Sequence, residues 1–284
     1  YQAITPPEVP GPLPTPQSCT SEPGTDCYYD EYIYDNLGSL IEVNYASGEG
    51  AEYTYNEFGG LNTVSRDTAA LVSAIGYTPT GSIQTINYAN GAVQTFTYDP
   101  AKLYRLSNKA TVLAGTTLQN ISYTYDGVGN ILSVVDTGIG TPKTASFNYD
   151  ELDRLIHASI VDNGTGVTET RDYTYSPTGN ILYKSDIGNY TYADTRHPHA
   201  VTQAGNDTYT YDVSGNLALE VRAGENISYT YDGFNRLSSI VRDAGQTAYL
   251  YGDGYERVQK TLPDGTRRTY LGQLTEIDGN GTFT

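Results

Sequence analysis

Residues 123–132 read YTYDGVGNIL, and the string returns as YTYSPTGNIL at 173, YTYDVSGNLA at 209 and YTYDGFNRLS at 229. Looser copies are YIYDNLGSLI at 32, YTYNEFGGLN at 53, FTYDPAKLYRL at 96 and FNYDELDRLI at 147. Tyr123 and Tyr125 flank Thr124, so on a strand both rings share one face and the β-branched threonine takes the other. The chain must then reverse. The Asp126 carboxylate can accept from backbone N–H groups two residues on, and Gly129, followed by Asn130, supplies the positive φ of a three-to-five-residue hairpin loop with a bulge. The same places recur as Tyr173, Tyr175, Gly179 and Asn180; as Tyr209, Tyr211, Asp212, Gly215 and Asn216; and as Tyr229, Tyr231 and Asp232. Each copy therefore reads as a β-hairpin, and the function must be read from a repeat.

The second aromatic of each copy marks the period: Tyr34, Tyr55, Tyr77, Tyr98, Tyr125, Tyr149, Tyr175, Tyr192, Tyr211, Tyr231, Tyr251 and Tyr270, with steps between 17 and 27 residues. Such a step suits two short strands and two turns. Six residues after the marker stands an aliphatic side chain, as Leu40, Leu61, Ile83, Ile131, Leu155, Ile181, Leu217 and Leu237. The outgoing strand then alternates, as in Leu217, Leu219 and Val221. One hairpin alone is marginal in water, so the units are expected to pair edge to edge into one long sheet. Helical periodicity is scarce; DTAALVSAIG, 67–76, ends in glycine and reads as strand or loop. Residues 1–27 hold seven of the thirteen prolines and read as a linker or edge-covering strap, leaving 28–284, with about twelve repeats, as the β domain.

Asp plus Glu number 33 against 16 Lys plus Arg, a formal charge of −17 that repels the phosphates of nucleic acid and of anionic lipid. No run approaches the roughly 18–20 apolar residues of a membrane helix, so insertion by this segment is not expected. Of the 33 aromatics 28 are tyrosine and none is tryptophan, which makes tyrosine the main large packing residue. A phenol can lie on a sheet while its hydroxyl reaches water or a partner. With no methionine, Tyr1 does not read as a retained initiator, and the chain is expected to be a processed or excised piece of something longer. Cys19 and Cys27 bracket the polar loop CTSEPGTDC, where a disulfide would indicate an oxidising compartment; two free thiols are the alternative.

The motif Y-x-Y-D-x-x-G-N-L resembles the YD repeats, also called Rhs repeats, over about residues 28–275. The stretch RHPHAVTQAGNDTYTYDVSGNLALEV, 196–221, is similar to a recurrent stretch of bacterial Rhs proteins, which favours that branch over the animal teneurins. The resemblance implies an all-β ribbon of consecutive antiparallel hairpins spiralling into a shell or barrel. In bacterial Rhs toxins and Tc-toxin C components such shells hold a toxic C-terminal polypeptide; teneurins use a similar barrel for adhesion. No DPxG closing core follows Tyr270, so self-cleavage and toxicity are not carried over. At about 3.3 Å per residue and about 4.8 Å between strands the chain tiles roughly 4,500 Å². A sphere of that area, with about 5 Å of wall, leaves a cavity of roughly 14 Å radius. A 100-residue domain has a radius of gyration near 13 Å and a larger outer radius. The piece is therefore expected to be a wall section, a small plugged barrel or a unit of a longer assembly.

Other chemistry finds little support. His197 and His199, in HPH near Asp194 and Arg196, could chelate a metal, but a structural site usually wants four ligands. Acids scattered through turns make accidental carboxylate pairs, and no G-x-S-x-G elbow, P-loop, H-E-x-x-H, dinucleotide glycine pattern or EF-hand occurs. Sequons at Asn120, Asn163, Asn189, Asn206, Asn226 and Asn280 matter only in a glycosylating source. The expectation is a non-catalytic scaffold without cofactor or metal, extracellular or on a bacterial surface, partnered by further segments of the same protein, like subunits or an enclosed polypeptide. The competing expectation is a surface rod or adhesin whose tyrosine faces bind glycans or a partner protein.

Overall fold

The computed structural model describes residues 30–271 and 275–278; the proline-rich segment and the Cys19–Cys27 loop lie outside the described residues. Twenty-four strands follow one another in a single antiparallel sheet, each paired with its neighbours in sequence. The first, Glu31–Tyr34, pairs with Leu40–Asn44, and the last, Thr275–Ile277, with Arg267–Leu271. Among the described residues these end strands do not pair with each other, so the sheet is open. One short 3-10 turn, Pro100–Lys102, is the sole helical element among them, and no helix is long and apolar enough to cross a membrane. The stretch 67–76 falls largely in strand Ala69–Tyr77.

The repeat string fixes the local geometry. Strand Thr116–Tyr125 ends on the marker tyrosine, five residues turn, and strand Ile131–Asp136 leaves. Tyr125 stands opposite Ile131, the aliphatic residue six positions on, and the register slips by one there. The same slip and pairing recur at Tyr34 with Leu40, Tyr55 with Leu61, Tyr149 with Leu155, Tyr211 with Leu217 and Tyr231 with Leu237. A bulge adds one unpaired residue and local twist, which re-aims the side chain beside it. The far edge of the sheet uses tighter turns. Ala114–Gly115 and Ala223–Gly224 each place two successive residues at positive φ, the primed turn whose twist matches the flanking strands.

No second layer covers either face of the sheet among the described residues. Only Val43, Ala51, Ala92, Ala204, Ile227 and Ile277 are buried apolar residues, joined by Glu220 and Ser239. Cohesion therefore rests on cross-strand pairing and on contacts between successive hairpins rather than on a deep core.

Candidate functional site

The recurring site is a clip between hairpins. The Tyr125 hydroxyl donates to the Leu106 carbonyl of the preceding hairpin at 2.7 Å. The same bond is made by Tyr55, Tyr77, Tyr98, Tyr149, Tyr175, Tyr192, Tyr211, Tyr231 and Tyr251, each to a backbone carbonyl of the unit before, at 2.6–3.1 Å. In eight of the ten the acceptor is the aliphatic residue six after the previous marker, such as Leu40, Leu155 or Leu217. Each marker ring thus covers its neighbour's outgoing strand and satisfies a carbonyl there. Burial raises the Tyr125, Tyr149, Tyr175, Tyr192, Tyr211 and Tyr231 phenols, disfavouring their charged form.

The acid after the tyrosine closes the turn. Asp126 Oδ1 accepts from the N–H groups of Val128, Gly129 and Asn130 at 2.7–3.0 Å, and Oδ2 accepts from the Asn130 amide at 2.9 Å. Burial raises the Asp126 carboxyl, but these hydrogen bonds, led by Gly129, outweigh it and hold it below the ordinary value. Asp35 is lowered by the Ser39 N–H, Asp150 by the Arg154 side chain, Asp212 by the Asn216 side chain and Asp232 by the Arg236 N–H. Ser176 takes the place of the acid in the copy at 173, where its hydroxyl accepts from Asn180 N–H at 3.0 Å.

The turn also needs a left-handed residue. Gly38, Gly59, Gly81, Gly129, Gly179 and Gly215, four after their markers, have φ of +79° to +115°. Where glycine is missing, Asp153, Asn235 and Tyr255 occupy the same position at +59°, +64° and +68°. The sequence pattern did not single these three out, although aspartate and asparagine at that offset are the usual non-glycine choices.

The residue five after the marker joins one turn to the next. Asn130 donates to Asp153 at 2.7 Å, Asn180 to the Pro198 carbonyl at 2.9 Å, and Asn216 to Asn235. Arginine replaces asparagine in two copies: Arg154 reaches the Ser176 carbonyl and Arg236 the Gly252 carbonyl, at 3.0 and 3.1 Å. Their guanidinium groups stack 4.7 and 4.8 Å from the ring centres of the next marker tyrosines, Tyr175 and Tyr251. These rings are thus fixed at the hydroxyl by the clip and on one face by the arginine.

The first aromatic of each string plays a different part. Tyr123, Tyr173, Tyr209 and Tyr229 are half-buried on the marker's face. Tyr229 donates to Glu220 Oε2 at 2.8 Å, and Arg222 pairs with Oε1 of the same buried carboxylate. Burial, then the bond to Glu220 and its charge, push the Tyr229 phenol up to about 12.

The histidines are dispersed in separate pairs. His157 contacts Asp172 at 2.6 Å, His197 contacts Asp194 at 3.1 Å, and His199 contacts the Asn180 amide oxygen at 2.7 Å. Arg196 and His197 hold the Asp194 carboxyl well below the usual range. No cluster of three potential metal-ligating His, Cys, Asp or Glu side chains occurs among the described residues.

Comparison with known proteins agrees with this geometry. The Teneurin YD-shell family profile matches residues 93–261. Among solved structures, a TcdB2-TccC3-Cdc42 crystal structure is 16% identical over 91% of this chain and 18% of its own, with a TM-score of 0.56. The TcdB2-TccC3 crystal structure is 17% identical over the same shares, with a TM-score of 0.56. A Photorhabdus luminescens Tc holotoxin pore is 16% identical over 90% of this chain and 17% of its own, with a TM-score of 0.54. The chain thus spans less than a fifth of those structures' length, and at such identities the likeness is one of fold. No curated protein matches the chain.

Proposed function

Because the chain belongs to the Teneurin YD-shell family, we propose that it is a non-catalytic section of a secreted YD-repeat wall that encloses or carries another polypeptide. The single observation behind this reading is the clip. Ten marker tyrosines spend their hydroxyls on the preceding hairpin, so the most repeated feature of the sequence works to hold a continuous sheet together. Residues 28–284 act as one repeat body in this reading, and its partners are further wall segments or like subunits with an enclosed chain. An extracellular or bacterial-surface setting fits the acidic charge of −17 and a sheet with both faces open. The adhesin reading loses ground because half-buried, hydrogen-bonded phenols offer little free face to a sugar.

Protease protection of the natural gene product tests the proposal. A second polypeptide resistant to proteinase K until mild denaturant opens the wall is the expected result. Complete digestion of every associated chain in native buffer, with selective glycan binding lost when exposed tyrosines become alanine, would favour the adhesin instead.

A further inference from the structure

On the reading of the chain as a wall section, we infer that its first strand, Glu31–Tyr34, is a docking edge for the last strand, Thr275–Ile277, of a second copy of this chain, joining copies head to tail. Of the twelve marker tyrosines only Tyr34 and Tyr270, in the two end hairpins, make no clip among the described residues. Tyr34 is also the one exposed marker, at 55%, with Tyr32 beside it at 41%. The ring and hydroxyl that each of the ten clipped markers buries on its predecessor are left open at this edge.

The last strand supplies what Tyr34 lacks. Glu276 stands six residues after Tyr270 and directly opposite it, as Leu40 stands opposite Tyr34, so its carbonyl holds the place of the clip acceptors at Leu40, Leu155 and Leu217. Strands that end on a marker alternate with strands that leave it, and there are twenty-four of them, an even number. The last strand of one copy therefore meets the first of another antiparallel, as at every inner joint. The inner joints also set the register. The residue opposite the one before a marker pairs onward with the residue three before the next marker, as Ser133 does with Ser146, His157 with Asp172 and Leu219 with Ser228. Ile277 stands opposite Thr269, one before Tyr270, and so comes to face Glu31 of the other copy.

Charge selects the partner. Residues 30–65 hold seven Asp and Glu and no Lys or Arg, a formal charge of −7. Residues 257–278 hold Arg257, Lys260, Arg267 and Arg268 against Asp264, Glu276 and Asp278, a formal charge of +1 in a chain of −17. Arg267 is exposed, has no ion pair among the described residues, and shares a sheet face with Thr269 and Ile277, the face that Glu31 joins in this register. Pairing two first strands with each other would instead set acid against acid. The charges that bar that symmetric pairing thus favour the more basic edge. The contact is heterologous, so each copy keeps one edge for the next, and copies add into a ring or a filament.

Two measurements on the full chain test this joint. Sedimentation velocity of the unsubstituted chain should show a size that rises with concentration and falls as NaCl goes from about 0.05 to about 0.5 M. Tyr34→Phe removes a hydroxyl that makes no clip within its own copy, so it should weaken association about fivefold at unchanged Tm. For the second measurement the photoreactive residue p-benzoylphenylalanine replaces Tyr32, heavy- and light-labelled chains are mixed and irradiated, and the products are mapped by mass spectrometry. Crosslinks that join heavy to light chains at residues 275–278 are expected. A chain that stays monomeric at every concentration, crosslinks confined to one chain, or crosslinks to any other part of the second copy, its first strand included, would overturn the inference. Any of these beside a protease-protected polypeptide in the natural gene product would remove the joint and leave the wall reading standing.

Discussion

At the scale of the residue, the marker-tyrosine hydroxyl carries the contact between hairpins. Tyr125→Phe keeps the ring and removes the donor to the Leu106 carbonyl; a lost hydrogen bond of this kind costs about 1 kcal/mol. Urea denaturation should show a lower midpoint at unchanged slope, and an unchanged midpoint would mean that the hydroxyl does no structural work. Titration gives a second expectation at this scale. The Asp35, Asp126, Asp150, Asp212 and Asp232 carboxyls are all lowered from 3.8 in the folded chain. Their contribution is complete above that value and is lost as pH falls through the lowered folded values. The Tyr229 phenol is raised from 10.0 to about 12, so its contribution is complete below 10 and is lost as pH rises through 12. Calorimetry should find Tm flat between these limits, falling below about pH 4 and above about pH 10. A Tm that holds from pH 4 to pH 2 would contradict the role given to the turn carboxylates.

At the scale of the element, the hairpin turn depends on one left-handed position. Gly129 has φ +115°, and a Cβ there would approach the Arg105 guanidinium to 2.5 Å. Gly129→Val should cost about 1 kcal/mol or more, read as a lower melting temperature; unchanged melting would mean that the turn lies elsewhere. Asn235 takes the equivalent position at +64° and accepts from Asn216, so Asn235→Gly relieves the left-handed backbone but loses that bond, and should lower the melting temperature less than Gly129→Val does. Much of this element is legible in the sequence, because alternation, acid and glycine act within ten residues of one another. Asp153 and Tyr255 are less legible, since each adopts the left-handed conformation without the residue that announces it. The partner of the tyrosine hydroxyl is less legible. Its acceptor lies 10 residues back for Tyr211 and 20 for Tyr175, because turns at the far edge vary in length; the regular offset runs from the previous marker and says nothing by itself of which hairpins meet.

At the scale of the whole molecule, local patterns predict a repeated sheet but not whether it closes, since closure depends on small twists accumulated over many strands. The described sheet is open and single-layered, with eight residues buried. Such an arrangement suits a wall whose neighbours supply the missing cover, as stacked repeats require. The absence of recognisable catalytic motifs was legible early, whereas Glu220, buried beneath Tyr229 and Arg222, was not, because nothing separates it in sequence from the turn acids. The most direct test is electron cryomicroscopy of the natural gene product. The expected map shows residues 30–278 as one layer of a continuous wall, with polypeptide density against one face. A free ribbon with solvent on both faces and no enclosed chain would contradict it.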